Sequence, residues 1–403
     1  MKITGPKVKN TITYRYLFKR DNLLATILVF LLIGIFAKIE RTLSIFDPQE
    51  ISTKDFNFTD LAYKLLDAPA NMPQVDTGIV IVNVGDGQRS VIAAMINKIA
   101  VARPKVIGVD VIFGGAKDSV TDNELKNISR GYPNVVMSYM LDSANNPQGY
   151  FYNDARAKGY VNFTAENQNV IREFEPFITE GGKTYSSFAA AIVQKAAPGA
   201  YDTLKTAHPG RQVINYRHKE NNFIVLDSTD VLHNDTLASA LKNKIVLLGY
   251  ISKDAADCND RHFTPMNSKI AGKSLPDLNG VIIHANIIRM MLDHNYIYSV
   301  SSWLTWLIAF VICWMHMAFF IGYYIERHIW FHLAAKLAQL ISAIFFVYLG
   351  LFIFFRFNVD IDLTVTIFAI VLAVDVLYFY EAGVVWLYQK KGYKTLFHHE
   401  EHH

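Results

Sequence analysis

Acidic side chains occur at three points where apolar runs of the chain end or are interrupted. Asp86 lies in the glycine turn that closes IVIVNVGDG, Asp110 lies inside KVIGVDVIF, and Asp257 and Asp260 follow KIVLLGY. Because the carboxyl ends of parallel strands meet at one edge of a sheet, ligands of open α/β domains bind there. The four carboxylates are therefore predicted to line one crevice that holds a cation or an amine.

A purely structural role for these carboxylates is the alternative. Asp86 is suited to capping a helix or turn, and Asp110 to accepting backbone hydrogen bonds. Asp110 separates the two interpretations best, because a carboxylate within a buried strand is costly unless it is paired.

No other motif in the chain indicates catalysis. Asp260, His262 and Cys258 lie close together and His284 follows later, but their spacing matches no zinc site. His284 is instead predicted to make a structural polar contact. The sequence GDG at 85–87 lacks the third glycine of a dinucleotide fingerprint. We therefore expect no catalytic residue, no metal, no cofactor and no enzyme activity.

Two pairs of polar residues lie within apolar segments near the C-terminus. At about 1.5 Å per residue, His316 and Asp375 both lie about 20 Å into their segments, so they are predicted to meet. A carboxylate at such a depth is either functional or part of a static interhelical hydrogen bond. Lys336 lies near the start of one apolar segment and Glu381 near the end of the next. The two side chains are predicted to pair or to extend to the membrane surface.

Four apolar segments must position these residues. They account for a mean hydropathy of +0.17 and a hydrophobic content of 51%, and each is close to the roughly 20 residues that span a bilayer. The first is the shortest and also fits the apolar core of a signal peptide, but no small-residue cleavage site follows it. The predicted membrane helices are residues 23–39, 303–325, 333–355 and 361–387.

Basic residues predict the orientation of these helices. Lys and Arg cluster before the first segment and after the last, and such clusters stay in the cytoplasm. The tails 1–22 and 388–403 are therefore predicted to be cytoplasmic, and the large domain 40–300 to lie outside. That domain carries about −2, from 26 Lys and Arg against 28 Asp and Glu. The overall charge of +3 thus comes from the membrane flanks, and a nucleic-acid partner is not expected.

The domain 40–300 is predicted to be an α/β domain with a mixed, largely parallel sheet. Apolar runs alternate with segments of helical periodicity, which indicates parallel strands joined by helices. The segments 159–163 and 171–179 alternate like exposed antiparallel strands. The predicted buried strands are Ile79–Gly87, Lys105–Phe113, Asn134–Met140 and Lys244–Tyr250, and the predicted helices include Arg89–Ala102, Thr121–Arg130, Tyr185–Ala197 and Val281–Leu292.

The ordered set of these segments resembles the second class of CHASE domains, which are extracellular sensory domains of bacterial receptors. The matching strings are IVIVNVGDG, KVIGVDVIF, GYVNF, INYR, KNKIVLLGY, DRHFTP and GVIIHAN. The resemblance implies acidic residues at the positions of Asp86, Asp110 and Asp260 without assigning them a reaction. It also implies three closing membrane helices and a multi-pass protein of the bacterial cytoplasmic membrane with a periplasmic domain.

In the family that the chain resembles, the closing helices usually lead into a cytoplasmic output module, whereas about 16 residues follow Leu387 here. The first hypothesis is a sensor that binds an unidentified small ligand and passes a conformational signal to a separate membrane partner. The second is an accessory or structural subunit of a larger envelope complex. Besides the lipid bilayer, the expected partners are a membrane or periplasmic protein or a second copy of the chain.

Overall fold

The computed structural model describes residues 12–43, 53–54, 60–66, 74–163, 170–234, 237–252, 254, 257–267, 269, 272–326 and 328–397. The chain forms two compact units. Residues 51–298 form the α/β domain, and residues 1–50 together with 299–403 form the membrane unit. The predicted tails 1–22 and 388–403 lie partly outside the described residues.

The helices and strands of the described residues are numbered in chain order. The helices are α1 (Ile12–Leu17), α2 (Arg20–Leu43), α3 (Asp60–Leu66), α4 (Arg89–Val101), α5 (Ser119–Gly131), α6 (Phe188–Ala196), α7 (Pro198–Ala207), α8 (Ser228–His233), α9 (Leu237–Leu241), α10 (Gly280–Leu292), α11 (Ser302–Glu326), α12 (Phe331–Phe357) and α13 (Thr364–Lys391). The strands are β1 (Thr53–Lys54), β2 (Asp76–Asn83), β3 (Val106–Val109), β4 (Val135–Leu141), β5 (Pro147–Gln148), β6 (Ala157–Tyr160), β7 (Glu173–Phe174), β8 (Phe177–Glu180), β9 (Lys183–Ser186), β10 (Gln212–Val213), β11 (Phe223–Asp227), β12 (Ile245–Gly249), β13 (Arg261–His262), β14 (Gly272–Lys273), β15 (Leu278–Asn279), β16 (Tyr298–Ser299) and β17 (Val359–Asp360).

A seven-stranded mixed sheet forms the centre of the α/β domain. Its order is β11-β2-β12-β3-β4-β5, with β6 also paired to β4. Every pairing in it is parallel except that of β5 with β4. The predicted mixed, largely parallel sheet is confirmed, and the carboxyl ends of β2, β12, β3, β4 and β6 share one edge.

Helices cover both faces of this sheet. Alternate strand residues such as Val80 and Val246 pack with α4 and α5 on one face, in a core that includes Ile96 and Leu125. On the other face, α6 and α10 pack against the sheet. Both strand faces are therefore buried, which explains why the strands are continuous apolar runs without alternation.

The strand β6 corrects one expectation. Residues 159–163 were expected in an exposed antiparallel strand, but β6 runs parallel to β4, and Gly159 and Tyr160 are buried. The backbone of α6 approaches Gly159 so closely that an added Cβ would lie 2.4 Å from the Cα of Phe188. Only glycine fits there, so this strand lacks the bulky apolar run that marks the other parallel strands.

Among the described residues, four helices are long and apolar enough to cross a bilayer, which confirms the predicted one N-terminal and three C-terminal membrane helices. They correspond to Arg20–Lys38 within α2 and to the whole of α11, α12 and α13. The fourth helix begins at Thr364, whose backbone N–H donates to the Asp362 side chain, rather than at the predicted residue 361.

Polar contacts show which helix ends of the membrane unit lie together. The Arg15 guanidinium before α2 lies 2.6 Å from the Glu326 carboxylate at the end of α11. The Asp21 carboxylate at the start of α2 accepts a hydrogen bond from the Leu396 backbone N–H, beyond α13. The start of α2 and the ends of α11 and α13 therefore lie at one end of the membrane unit.

Candidate functional site

A cleft of about 650 Å³ opens at the carboxyl edge of the parallel strands, where the sequence places the ligand crevice. Residues that follow β2, β3, β6 and β12 line it, together with the end of β4, the loop before β13 and the start of α10. The lining residues are Val84, Gly85, Gly87, Ile92, Asp110, Val111, Ile112, Met140, Val161, Asn162, Phe163, Ile171, Tyr250, Asp260, His262, Gly280 and His284.

Asp110 is the first residue after β3, and its half-buried carboxyl faces this cleft. Its backbone N–H continues the ladder by donating to Leu248 O at 2.7 Å. No described residue donates a hydrogen bond to its carboxyl oxygens, so the structural alternative in which Asp110 accepts backbone hydrogen bonds is not realised. Burial, and secondarily the charge of Asp260, raises the pKa of Asp110 to about 8. Asp110 is therefore mainly protonated at neutral pH.

Asp260 reaches the same cleft from the loop after β12. It has φ +53° and its backbone carbonyl accepts from the Gly280 N–H at 3.0 Å. A Cβ on Gly280 would lie 3.0 Å from Asp260 Oδ1, so glycine at the start of α10 leaves room for this carboxylate. His262 Nε2 lies 3.7 Å from the same Oδ1. The structure thus brings together Asp110 and Asp260, which are far apart in the chain.

His284 forms part of the cleft wall from the first turns of α10. Its ring stacks on Phe163 at 4.7 Å and meets the edge of Phe188 at 5.3 Å. The residue is only 4% exposed, and its Nδ1 has no hydrogen-bond partner among the described residues. Burial, and secondarily the neighbouring His262, lowers the pKa of His284 to about 3. The ring is therefore neutral, and the expected structural polar contact is not made at Nδ1.

The other two predicted acidic residues lie outside the lining of the cleft. Asp86 is exposed in the turn after β2. Asp257 accepts a 2.6 Å hydrogen bond from the Tyr250 hydroxyl and another from the Asn259 N–H, and the Tyr250 bond is the main reason that its pKa is lowered. Asp257 thus orients Tyr250, which does line the cleft.

Two asparagines fix the rim of the cleft, and the sequence analysis missed both. Asn83 at the end of β2 exchanges hydrogen bonds with the backbone of Ile251, beyond β12, at 3.0 and 3.1 Å. Asn162 does the same with the backbone of Leu141, at 2.7 and 2.8 Å. An asparagine at or just beyond the end of a buried strand is the sequence signal that could have identified these two residues.

Arg89 in the first turn of α4 anchors the loop that follows β3. Its guanidinium donates to the Asp122 carboxylate and to the backbone carbonyls of Gly114 and Gly115. The Arg89 and Asp122 side chains are 8% and 4% exposed. Because this loop continues from cleft residues 110–112, the buried ion pair supports one wall of the site.

The described residues contain no group of three or more His, Cys, Asp or Glu side chains that could hold a metal ion. No Lys or Arg is present in the described lining of the cleft. In the described lining, two carboxyl groups and several other polar side chains therefore face the cleft together with apolar side chains. Such an arrangement is suited to binding a small molecule.

In the membrane unit, the predicted meeting of His316 and Asp375 is not formed. His316 Nε2 lies 2.8 Å from Ser342 Oγ on α12, and its Nδ1 lies 2.9 Å from Ile312 O. Asp375 is exposed on α13. His316 faces α12 at the level of Ser342, whereas Asp375 lies on α13 between the residues that contact His332 and Gln339 of α12.

The predicted pairing of Lys336 with Glu381 is not formed either. Glu381 accepts a 2.8 Å hydrogen bond from the Tyr324 hydroxyl of α11, and Lys336 is exposed on α12. The two helices α12 and α13 are antiparallel neighbours, and contacts between them give their register.

Two side-chain contacts define that register. His332 Nδ1 lies 2.9 Å from the Tyr378 hydroxyl, and Gln339 Nε2 donates to Val371 O at 2.7 Å. Lys336 lies between the two α12 residues, on their side of the helix, and Asp375 lies between the two α13 residues. Lys336 and Asp375 are therefore at about the same level along the two helices.

Asp21 is a buried carboxylate that the sequence analysis did not select. It is 6% exposed and accepts hydrogen bonds from the Tyr380 hydroxyl at 2.8 Å, Thr395 Oγ1 at 3.1 Å and the Leu396 N–H at 3.1 Å. It thereby joins the start of the first membrane helix to the segment that follows the last one.

An α/β domain with a cleft at its strand ends lies in the chain between one apolar helix and three more, and helices of this length and composition define a membrane protein. Comparison with protein families gives the CHASE2 domain, matched over residues 27–322. The chain belongs to the CHASE2 family of extracellular sensory domains, which confirms the resemblance seen in the sequence. Searches of curated proteins and of solved structures gave no match.

Proposed function

We propose that this protein is a ligand-binding sensor of the bacterial cytoplasmic membrane, with its α/β domain in the periplasm. The cleft at the strand ends carries the proposal. Among the described residues, no group donates a hydrogen bond to the carboxyl of Asp110, which lines the cleft, and the buried His284 Nδ1 has no partner. Buried polar atoms normally have partners, so a site that leaves them open is suited to a ligand that supplies them. The same features favour binding over catalysis.

The proposed orientation rests on the membrane unit. The start of α2 and the end of α13 lie together through Asp21, so both flanks are on one side of the bilayer. Basic residues concentrate at those flanks, including Arg20, Lys390 and Lys391. Because basic flanks of membrane helices stay in the cytoplasm, this favours a cytoplasmic location for both flanks. The chain enters the α/β domain after the end of α2 and leaves it before the start of α11, away from the basic flanks. We therefore place the domain on the other side of the bilayer from those flanks.

The native cysteines test this orientation directly. Cys258 is exposed in the α/β domain, and Cys313 is buried in the membrane unit. A membrane-impermeant maleimide added to spheroplasts should label the wild-type chain and not the Cys258→Ser variant. Labelling that requires lysis of the spheroplasts would place the domain in the cytoplasm and refute the proposal.

Signalling requires two states of the domain that differ in ligand affinity. The domain is continuous with α2 at its start and α11 at its end, so a change in the separation of its termini would move one helix against the other. Asp21 connects α2 to the segment after α13, where a separate membrane partner would detect the movement.

Hydrogen exchange of the full chain in nanodiscs tests the sensing role. We expect a stabilising compound from a metabolite library to slow exchange at the cleft and to change it in α2 or α11. The Asp110→Asn variant should lose both effects, whereas Asp202→Asn, an exposed change on α7, should keep them. If no compound protects the cleft, and gentle extraction instead yields a stoichiometric complex that Asp110→Asn leaves intact, the accessory-subunit hypothesis is correct.

A further inference from the structure

We infer that the ligand of the cleft is an organic amine, whose ammonium group lies between the carboxyl groups of Asp110 and Asp260 while its apolar part occupies the remaining space. The inference rests on the proposed function and specifies its ligand.

The first step is the balance of donors and acceptors. The described lining presents the carboxyl groups of Asp110 and Asp260 without any Lys or Arg. An anionic ligand would meet like charge and find no cation, whereas an ammonium group supplies three donors and a compensating charge. Nδ1 of the neutral His284 ring is either a donor or an acceptor according to its tautomer, and it lacks a partner in both cases.

The number of ligating side chains and the size of the cleft favour an amine over a metal cation. Mg²⁺ and Ca²⁺ require six or more oxygen ligands and are bound by several carboxylates or by phosphates. The described residues offer no cluster of three metal-ligating side chains here. The cleft also extends over apolar residues, including Val161, Phe163 and Ile171, in a volume of about 650 Å³. That volume suits a molecule with a hydrocarbon or aromatic body rather than a bare ion.

The third step concerns the proton of Asp110. The titratable groups that face it across the cleft are Asp260, His262, His284 and Tyr250. Because the pKa of Asp110 is about 8, its carboxyl is mainly protonated at pH 7. An arriving ammonium favours the charged carboxylate, so the proton leaves to solvent as the amine binds. Between pH 6 and 8, the affinity should therefore rise up to about tenfold per pH unit.

Isothermal titration calorimetry of the full chain in nanodiscs tests the inference with matched probes. Phenethylamine, 2-phenylethanol and 3-phenylpropanoate share one body and differ in their polar group, and 1,6-diaminohexane and MgCl₂ complete the set. We expect binding of an amine only, with proton release that shows as a dependence of the heat on the ionisation enthalpy of the buffer. Asp110→Asn should weaken amine binding at least tenfold and abolish proton release, whereas Asp202→Asn should change neither.

The outcomes separate the two proposals. Binding of the alcohol or the carboxylate at the cleft, lost in Asp110→Asn, would overturn the amine and leave the sensor intact. Binding of Mg²⁺ alone would show a metal site and would also overturn the amine. If neither amine binds, the inference fails, and the library screen described above then decides the sensing role independently. Amine binding that survives both Asp110→Asn and Asp260→Asn would place the amine elsewhere and refute this site.

Discussion

Adding one methyl group at Gly159 should destabilise the α/β domain far more than the same change elsewhere. The new Cβ would lie 2.4 Å from Phe188 Cα, 2.6 Å from Phe188 N and 2.6 Å from Ser187 O. All three atoms are backbone at the start of α6, so no side-chain rotation relieves the contact. Ordinary contact begins at about 3.4 Å, so β6 and α6 must separate by about 1 Å.

The expected cost of Gly159→Ala is about 3 kcal/mol, at the upper end of the range for overpacking, because backbone must move. Gly131 is the matched control. It is the last residue of α5, and an added Cβ there meets nothing within 4 Å. Gly131→Ala should therefore stabilise the domain by about 0.5–1 kcal/mol through helix propensity. The same substitution thus has opposite signs at the two sites.

Tryptophan fluorescence cannot report these changes, because all five tryptophans lie in the membrane unit, at 303, 306, 314, 330 and 386. Hydrogen exchange of peptides from β2, β3 and β12 in the full chain measures the domain instead. We expect exchange about 100-fold faster in Gly159→Ala and slower in Gly131→Ala. Equal exchange in the two variants would refute the close packing of α6 on β6.

Three further predictions follow from charged groups. Arg89→Met should speed exchange of the domain at least about 100-fold, because it leaves a buried carboxylate without its cation. Arg130→Met removes a pair whose arginine side chain is 62% exposed and should speed exchange less than about fivefold. The pKa of Asp110 is about 8 in the folded domain against 3.8 in the unfolded chain. Its contribution to stability is therefore complete below pH 3.8 and is lost as the pH rises toward 8. In melting temperatures measured from pH 4 to 8, Asp110→Asn should flatten this decline. In lipid, Lys336 and Asp375 should form an ion pair. Lys336→Asp should therefore lower the yield of folded protein in nanodiscs, and combining it with Asp375→Lys should restore the yield. If the double variant shows no recovery, the register of α12 and α13 is contradicted.

The local sequence was sufficient to predict the class of fold. Long apolar segments identify membrane helices, and continuous apolar runs separated by helical periodicity identify a parallel α/β sheet, because both signals depend on neighbouring residues only. It was not sufficient for β6. There the decisive fact is the approach of α6 to Gly159, a contact between distant segments that leaves no hydrophobic pattern.

The position of the candidate site in the fold could be predicted from the sequence, but the set of residues that line it could not. Parallel strands determine that their carboxyl ends meet, so Asp110 and Asp260 were placed at the correct edge. The exclusion of Asp86 and Asp257 from the cleft wall, and the position of His284 on it, depend on how individual turns and side chains are oriented.

The distance of each residue from the end of its membrane helix could be predicted from the sequence, since it needs only the rise per residue. The partners of His316, Lys336 and Asp375 could not, because helix rotation and register decide which side chains share a face. The contact of Asp21 with the segment after α13 likewise joins the two ends of the chain. Tertiary packing alone produces such contacts, since their energy belongs to pairs of residues that no local pattern connects.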